Sequence, residues 1–247
     1  MKKIGIIGGS GLDDPDILDN VEQIDVETEF GKPSSVLTKG IINNIEVIIL
    51  SRHGKSHQYS PTEVNYRANI KSLKDAGVSH IIATTACGSL RQEIERGDFV
   101  IIDQFIDFTK QRKMTFFDSF KDGIHHCPMA EPFDKKIRDI LLQTSKELGF
   151  KTHDKGTVIT IEGPRFSTKA ESKMFRLWGA DVINMSIATE ASLANEAEIP
   201  YAVIAMSTDY DCWKEDEEPV SWKEVFKVFE QNAENVKKLI IQSIPKI

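Results

Sequence analysis

The run Tyr201-Ala202-Val203-Ile204-Ala205-Met206 is apolar without interruption and breaks directly into Ser207-Thr208-Asp209-Tyr210-Asp211-Cys212-Trp213. A segment this short with no polar face has to be covered on both sides. That is the condition of a buried strand in an α/β sheet. Its polar exit then stands at the carboxyl edge, where open sheets of this kind hold ligands. Asp209 and Asp211 admit two readings there. They can accept hydrogen bonds from an amino-substituted heterocycle, a protonated member also donating to a ring nitrogen. Equally, they can cap the turn that follows.

The same design recurs along the chain. Lys3-Ile4-Gly5-Ile6-Ile7 runs into Gly8-Gly9-Ser10-Gly11, a turn whose exposed amides and hydroxyl suit an anion. The glycines do not follow the GxGxxG spacing and Pro15 comes too soon for a long crossover helix, so a dinucleotide fold is not expected. Ile45 to Leu50 ends in Ser51-Arg52-His53-Gly54, where Arg52 offers a planar fork for phosphate oxygens and His53 a donor or proton carrier. His80 to Ala83 ends in Thr84-Thr85-Ala86-Cys87-Gly88-Ser89, small residues and hydroxyls that permit close backbone approach. Val158 to Ile161 ends in Glu162-Gly163-Pro164-Arg165-Phe166-Ser167, and Ala180 to Ile183 ends in Asn184-Met185-Ser186. Arg165 and Phe166 are either ligand contacts or a salt bridge and a core ring.

Between these runs, Gln23 to Phe30, Ser35 to Leu37 and Phe99 to Ile106 read as strands, with Asn43-Asn44 turning a hairpin. Ser60, Pro61 and Glu63 form a helix start that carries Tyr66, Ile70 and Leu73 on one face until Gly77. Further helices are expected over Pro132 to Leu148 and from about Thr189 to Glu198. A last one has a capping box at Ser221 and Glu224, an apolar face of Trp222, Val225, Phe229 and Val236, and an end near Pro245. Thr109 to Met129 lacks either period and reads as a long loop. Its His125-His126-Cys127 is not expected to hold a metal, because adjacent side chains rarely converge on one ion.

With 247 residues, 40% hydrophobic and 28% charged, the chain supports one domain over 1–247. A net charge of -7 argues against nucleic acid or an acidic membrane surface as partner. Three scattered cysteines and the lack of an apolar span of about 20 residues suggest a reduced, cytoplasmic protein.

Taken in order, GIIGGSGLDDP from Gly5, RHG from Arg52, VNYRANI from Val64, TTACGSL from Thr84, VIIDQFID from Val100, PMAEPF from Pro128, EGPRFS from Glu162, ADVINMS from Ala180 and TDYDCW from Thr208 resemble the trimeric purine nucleoside phosphorylases. The resemblance implies an α/β fold with a central mixed β-sheet partly closed into a barrel and surrounded by helices. It implies a homotrimer without metal or cofactor, inorganic phosphate being a co-substrate. Gly9, Ser10, Arg52, His53, Thr85, Ala86 and Ser186 would bind phosphate, with Asp209, Ser186 and His53 serving catalysis. Phe166, Ser167, Met185, Asp209, Asp211, Trp222 and Val225 would hold the nucleoside, and a neighbouring subunit would bring His126 to the 5′ pocket. Relatives continue past the position of Ile247 with a segment over that pocket, for which Trp222 is expected to substitute in part. Members acting on 6-oxopurines carry asparagine at the position of Asp209, so the expected reaction is phosphorolysis of 5′-methylthioadenosine to adenine and 5-methylthioribose 1-phosphate. The alternatives are a broader phosphorylase of adenosine, inosine or methylthioinosine, a hydrolytic nucleosidase, and a nucleoside-binding protein without turnover.

Overall fold

A computed structural model describes residues 2–8, 17–121, 123–216 and 222–247, the side chains of 222–226, 229 and 231 apart. The strands are β1 Lys3–Gly8, β2 Asp19–Ile24, β3 Leu37–Ile42, β4 Ile45–Ser51, β5 His80–Ser89, β6 Phe99–Ile101, β7 Gln104–Phe108, β8 Thr152–His153, β9 Thr157–Ile161, β10 Val182–Asn184 and β11 Tyr201–Asp209. The helices are α1 Tyr66–Asp75, α2 Lys135–Glu147, α3 Lys169–Leu177, α4 Ile187–Glu196 and α5 Trp222–Ser243.

All the strands join one mixed sheet, ordered β2-β3-β4-β1-β5-β10-β9-β7, with β11 branching from β5 to carry β6 and β8. Among the described residues its two ends, β2 and β7, are not paired with each other, so the sheet as paired is branched and open-ended. Alternation along the central strands explains their apolar runs. Ile7, Leu50, Ile81, Ala83, Val203 and Ala205 face one core with Ile70 and Leu73 of α1 and Ala191 and Ala194 of α4. Ile4, Ile6, Val47, Ile49, Ile82, Ala202 and Ile204 face a second core with Ile137 and Leu141 of α2 and Leu239 and Ile240 of α5. With helices on both faces, neither side of these strands has to be polar.

β5 is the hinge of the architecture. Its first half runs parallel to β1 through Ile4↔His80 to Ile7↔Ala83, and β11 lies parallel on its other edge. Its last residues pair antiparallel with β10, through Val182↔Ser89 and Ile183↔Gly88. The exits of β10 and of the parallel strands therefore converge beside Thr85. This convergence makes the cavity described below.

Local details depart from the sequence reading. Asn43 and Asn44, at φ of 49° and 64°, do turn the β3–β4 hairpin, as two left-handed residues must. Strand β2 lies earlier than Gln23 to Phe30, and Phe99 to Ile106 is two strands interrupted at Ile102-Asp103. The Ser60–Glu63 box closes a turn, the Glu63 carboxylate accepting from the Ser60 amide, and the helix begins at Tyr66 under an Asn65 cap. Helix α3 was not expected. Its signal was the Thr168/Glu171 capping box, but its face contributes only Phe175 as a buried apolar side chain. The capping box at Ser221 and Glu224, and the side chains of Trp222, Val225 and Phe229, lie outside the described residues.

Candidate active site

A cavity of about 510 Å³ opens where the strand exits meet. On one side β4 brings Arg52 and His53, β5 brings Thr84 to Gly88, and the end of β10 brings Asn184, Met185 and Ser186. On the other, Pro164, Phe166 and Ser167 follow β9, and Thr208, Asp209 and Asp211 close β11.

The acidic end is built around Gly88. A bulge in the β5–β11 register brings Asp209 opposite Gly88, and a Cβ there would stand 2.9 Å from Asp209 Oδ1 and 3.0 Å from Ile183 Cγ2. Glycine is required by this close approach. The Asp209 carboxylate accepts from the Thr208 hydroxyl at 2.8 Å and from the Asp211 amide at 2.8 Å. Burial nevertheless dominates and raises its pKa to about 6, those two hydrogen bonds opposing the rise. Asp209 is therefore a carboxyl group that can carry a proton near neutrality. Asp211 sits at φ 46° and accepts the Ser167 hydroxyl on both oxygens at 2.7 Å. The Ser167 proton is thus committed to Asp211, and Phe166, 41% exposed, presents its ring to the cavity.

The opposite end is rich in donors. Arg52 is buried, and its Nε and one Nη meet Glu190 of α4 at 2.5 and 2.9 Å, the other Nη donating to Thr84 O at 2.8 Å. Glu190 also accepts from the Tyr201 hydroxyl at 2.8 Å. The fork that the sequence offers to phosphate is mostly occupied within the protein, because a buried guanidinium needs a counter-ion. Among the described residues three of its five N–H groups are used, leaving one on each Nη. Ser186 occupies the N-cap position of α4 yet makes no cap bond, so its hydroxyl is left for the cavity beside the positive end of that helix. Asn184 accepts from Thr160 at 2.8 Å and donates to the Thr85 hydroxyl at 3.3 Å, which in turn donates to Ala86 O. His53 stacks on His57, ring centroids 4.6 Å apart, with its Nδ1 2.9 Å from Tyr59 O.

The model of the phosphorylase superfamily matches residues 3–245. The chain belongs to that superfamily. Among curated members it is 58% identical to S-methyl-5′-thioadenosine phosphorylase of Xenopus tropicalis, over 99% of this chain and 89% of the relative. It is 54% identical to the Danio rerio enzyme over the same shares. A solved Schistosoma mansoni methylthioadenosine phosphorylase in complex with adenine superposes with a TM-score of 0.94 at 42% identity, covering 99% of this chain and 91% of that one. A variant of that enzyme in complex with methylthioadenosine gives a TM-score of 0.93 at 40% identity, over the same shares.

For this phosphorylase-superfamily chain, the expected residues Arg52, His53, Thr85, Ala86, Phe166, Ser167, Met185, Ser186, Asp209 and Asp211 all line one cavity. Gly9 and Ser10 lie outside the described residues; Gly8, just before them, accepts from the Arg52 amide. Trp222 and Val225 are on α5, their side chains outside the described set. His126 does not line this cavity; it is exposed, edge-on to Phe120 at 5.4 Å. Arg165 proves to be the salt-bridge reading, paired with Glu171 at 2.7 Å. Trp213 turns aside, donating to Ser89 O under the Arg176 guanidinium. Sequence reasoning missed Glu190, Asn184 and Arg112. Arg112 draws the loop after β7 into the site by donating to the Glu162 carboxylate, Tyr66 Oη and Met185 O. Gly163, at φ 68°, takes a left-handed conformation that favours glycine, and Met185 packs over it.

Proposed function

We propose that this enzyme cleaves 5′-methylthioadenosine with phosphate, giving adenine and 5-methylthioribose 1-phosphate. The observation that carries the reading is one cavity with a protonatable Asp209 at one end and hydroxyl and guanidinium donors at the other, about a nucleoside apart in role. Adenine would lie against Phe166 with its 6-amino group and N7 toward Asp209 and Asp211. Met185 would pack on the ribose. Phosphate would rest among Arg52, His53, Thr85, Ala86, Ser186, Gly9 and Ser10.

Phosphate oxygen would attack C1′ from the face opposite the base as the C1′–N9 bond breaks through an oxocarbenium-like state. The leaving adenine is a poor anion, and Asp209 would protonate N7 as charge develops. Donors fixed around phosphate need not reorganise at that moment. We further assign the enzyme to a cytoplasmic homotrimer serving nucleoside salvage, in which His126 of one subunit reaches a neighbour's 5′ pocket. The high identity to named methylthioadenosine phosphorylases supports the substrate, and the carboxylate facing a 6-amino edge supports the base.

Base choice is the test. Wild-type enzyme should favour adenosine over inosine, and Asp209→Asn should lower turnover of adenine nucleosides about 100-fold or more. Unchanged adenosine turnover in that variant, or a wild-type preference for inosine, would remove Asp209 from both roles.

A further inference from the structure

The charged side chains at and beside the phosphate end of the cavity are already matched. Arg52 is held bidentately by Glu190, and Arg112 donates from Nε to the Glu162 carboxylate at 2.8 Å. His53 is a titratable group that feels both Arg52 and Arg112. Its Nδ1 lies 2.9 Å from the Tyr59 carbonyl oxygen, which can only accept. The ring hydrogen of the neutral imidazole is therefore on Nδ1, and Nε2 is a bare lone pair. Among the described residues no protein donor meets Nε2, and the ring lines the cavity. Oxyanion sites are usually furnished with donors. This position holds an acceptor.

Resting on the phosphate site proposed above, we propose that His53 reads the proton of the incoming oxyanion: one proton lies between Nε2 and the bound anion, supplied by the P–OH of hydrogen phosphate. The groups facing the ring are Arg52 beside it, His57 stacked on it and Arg112 from the loop after β7. Burial first, then Arg52, with His57 and Arg112 adding, holds the imidazole down at about 4, against the Tyr59 bond that favours its charged form. In turnover the protons balance. Attack by a charged phosphate oxygen leaves the P–OH on the new ester, Nε2 takes that proton as the ester becomes a dianion, and Asp209 has given one to N7. Once the products leave, Nε2 releases its proton to solvent and Asp209 takes one up, so that over the cycle one proton enters with phosphate and one leaves with adenine.

The prediction concerns selectivity between two tetrahedral dianions. Sulfate has no proton to bring at neutral pH, so it must recruit one from solvent to His53. Binding is measured by titration calorimetry in buffers of different ionisation enthalpy, with phosphate and sulfate as probes. Sulfate should bind wild-type enzyme with uptake of about one proton, weakening about tenfold for each pH unit above neutrality. Phosphate at pH 8, where the dianion dominates, should bind with no net uptake. His53→Gln places an amide donor in the site, so its sulfate affinity should become independent of pH and its preference for phosphate over sulfate should fall. Sulfate binding to wild-type enzyme without proton uptake and without pH dependence would overturn the role of His53. Absence of saturable phosphate binding would instead overturn the phosphate site itself.

Discussion

In the proposed reaction Asp209 is the acid, and its surroundings make that role testable by pH and by volume. Its pKa of about 6 is raised by burial, so kcat/KM for the nucleoside should fall as pH rises through about 6, and that limb should vanish in Asp209→Asn. The sign for stability follows the same shift. A raised folded pKa contributes stability below the ordinary carboxylate value of 3.8 that is lost as pH rises through about 6. Gly88→Ala tests the geometry while keeping the acid itself, because the new Cβ would press on Asp209 Oδ1 and Ile183. It should cost roughly 1–3 kcal/mol in denaturant unfolding and lower kcat more than it raises KM. Wild-type kcat in this variant would show that Asp209 tolerates displacement.

At the level of elements, the strand exits were legible and their partners were not. Apolar runs betray strands covered on both faces, and the residues just past them reach the site because parallel strands end on the same side. Ser60 and Glu63 satisfied each other locally as the sequence indicated, but a local cap cannot say where the helix behind it finds its core. Glu190 is 138 residues from Arg52, and no spacing announces a contact over that distance. The pairing of β4 with α4 through this ion pair carries its own consequence. Removing one partner leaves a buried charge, so Glu190→Ala should cost about 3–5 kcal/mol in urea unfolding. A cost within the range of a surface substitution would contradict the structural weight given to the pair.

For the whole molecule, the sequence supports one mixed α/β sheet and a ligand crevice, and the pairing of β5 with both β1 and β10 explains why residues from five exits share one cavity. The loop after β7, legible only as aperiodic, is tied in by Arg112 and Glu162. Glu162 is held at about 2; burial would raise it, but the Thr62 hydroxyl, the Lys110 and Gln111 amides and Arg112 together outweigh that. A lowered folded pKa means stability present above the ordinary value of 4.5 and lost as pH falls through about 2. The stability gap between wild type and Glu162→Gln should therefore be full above pH 4.5 and close on acidification. A gap that stays constant to pH 2 would contradict it.

The central claim is that the two ends of this cavity act on one nucleoside in concert with phosphate. Adenine release from 5′-methylthioadenosine, measured with and without phosphate, tests it most directly. Release should depend on phosphate and yield 5-methylthioribose 1-phosphate in equal amount, faster than with adenosine or inosine. Equal release without phosphate, with free 5-methylthioribose as product, would contradict it and make the enzyme a hydrolase.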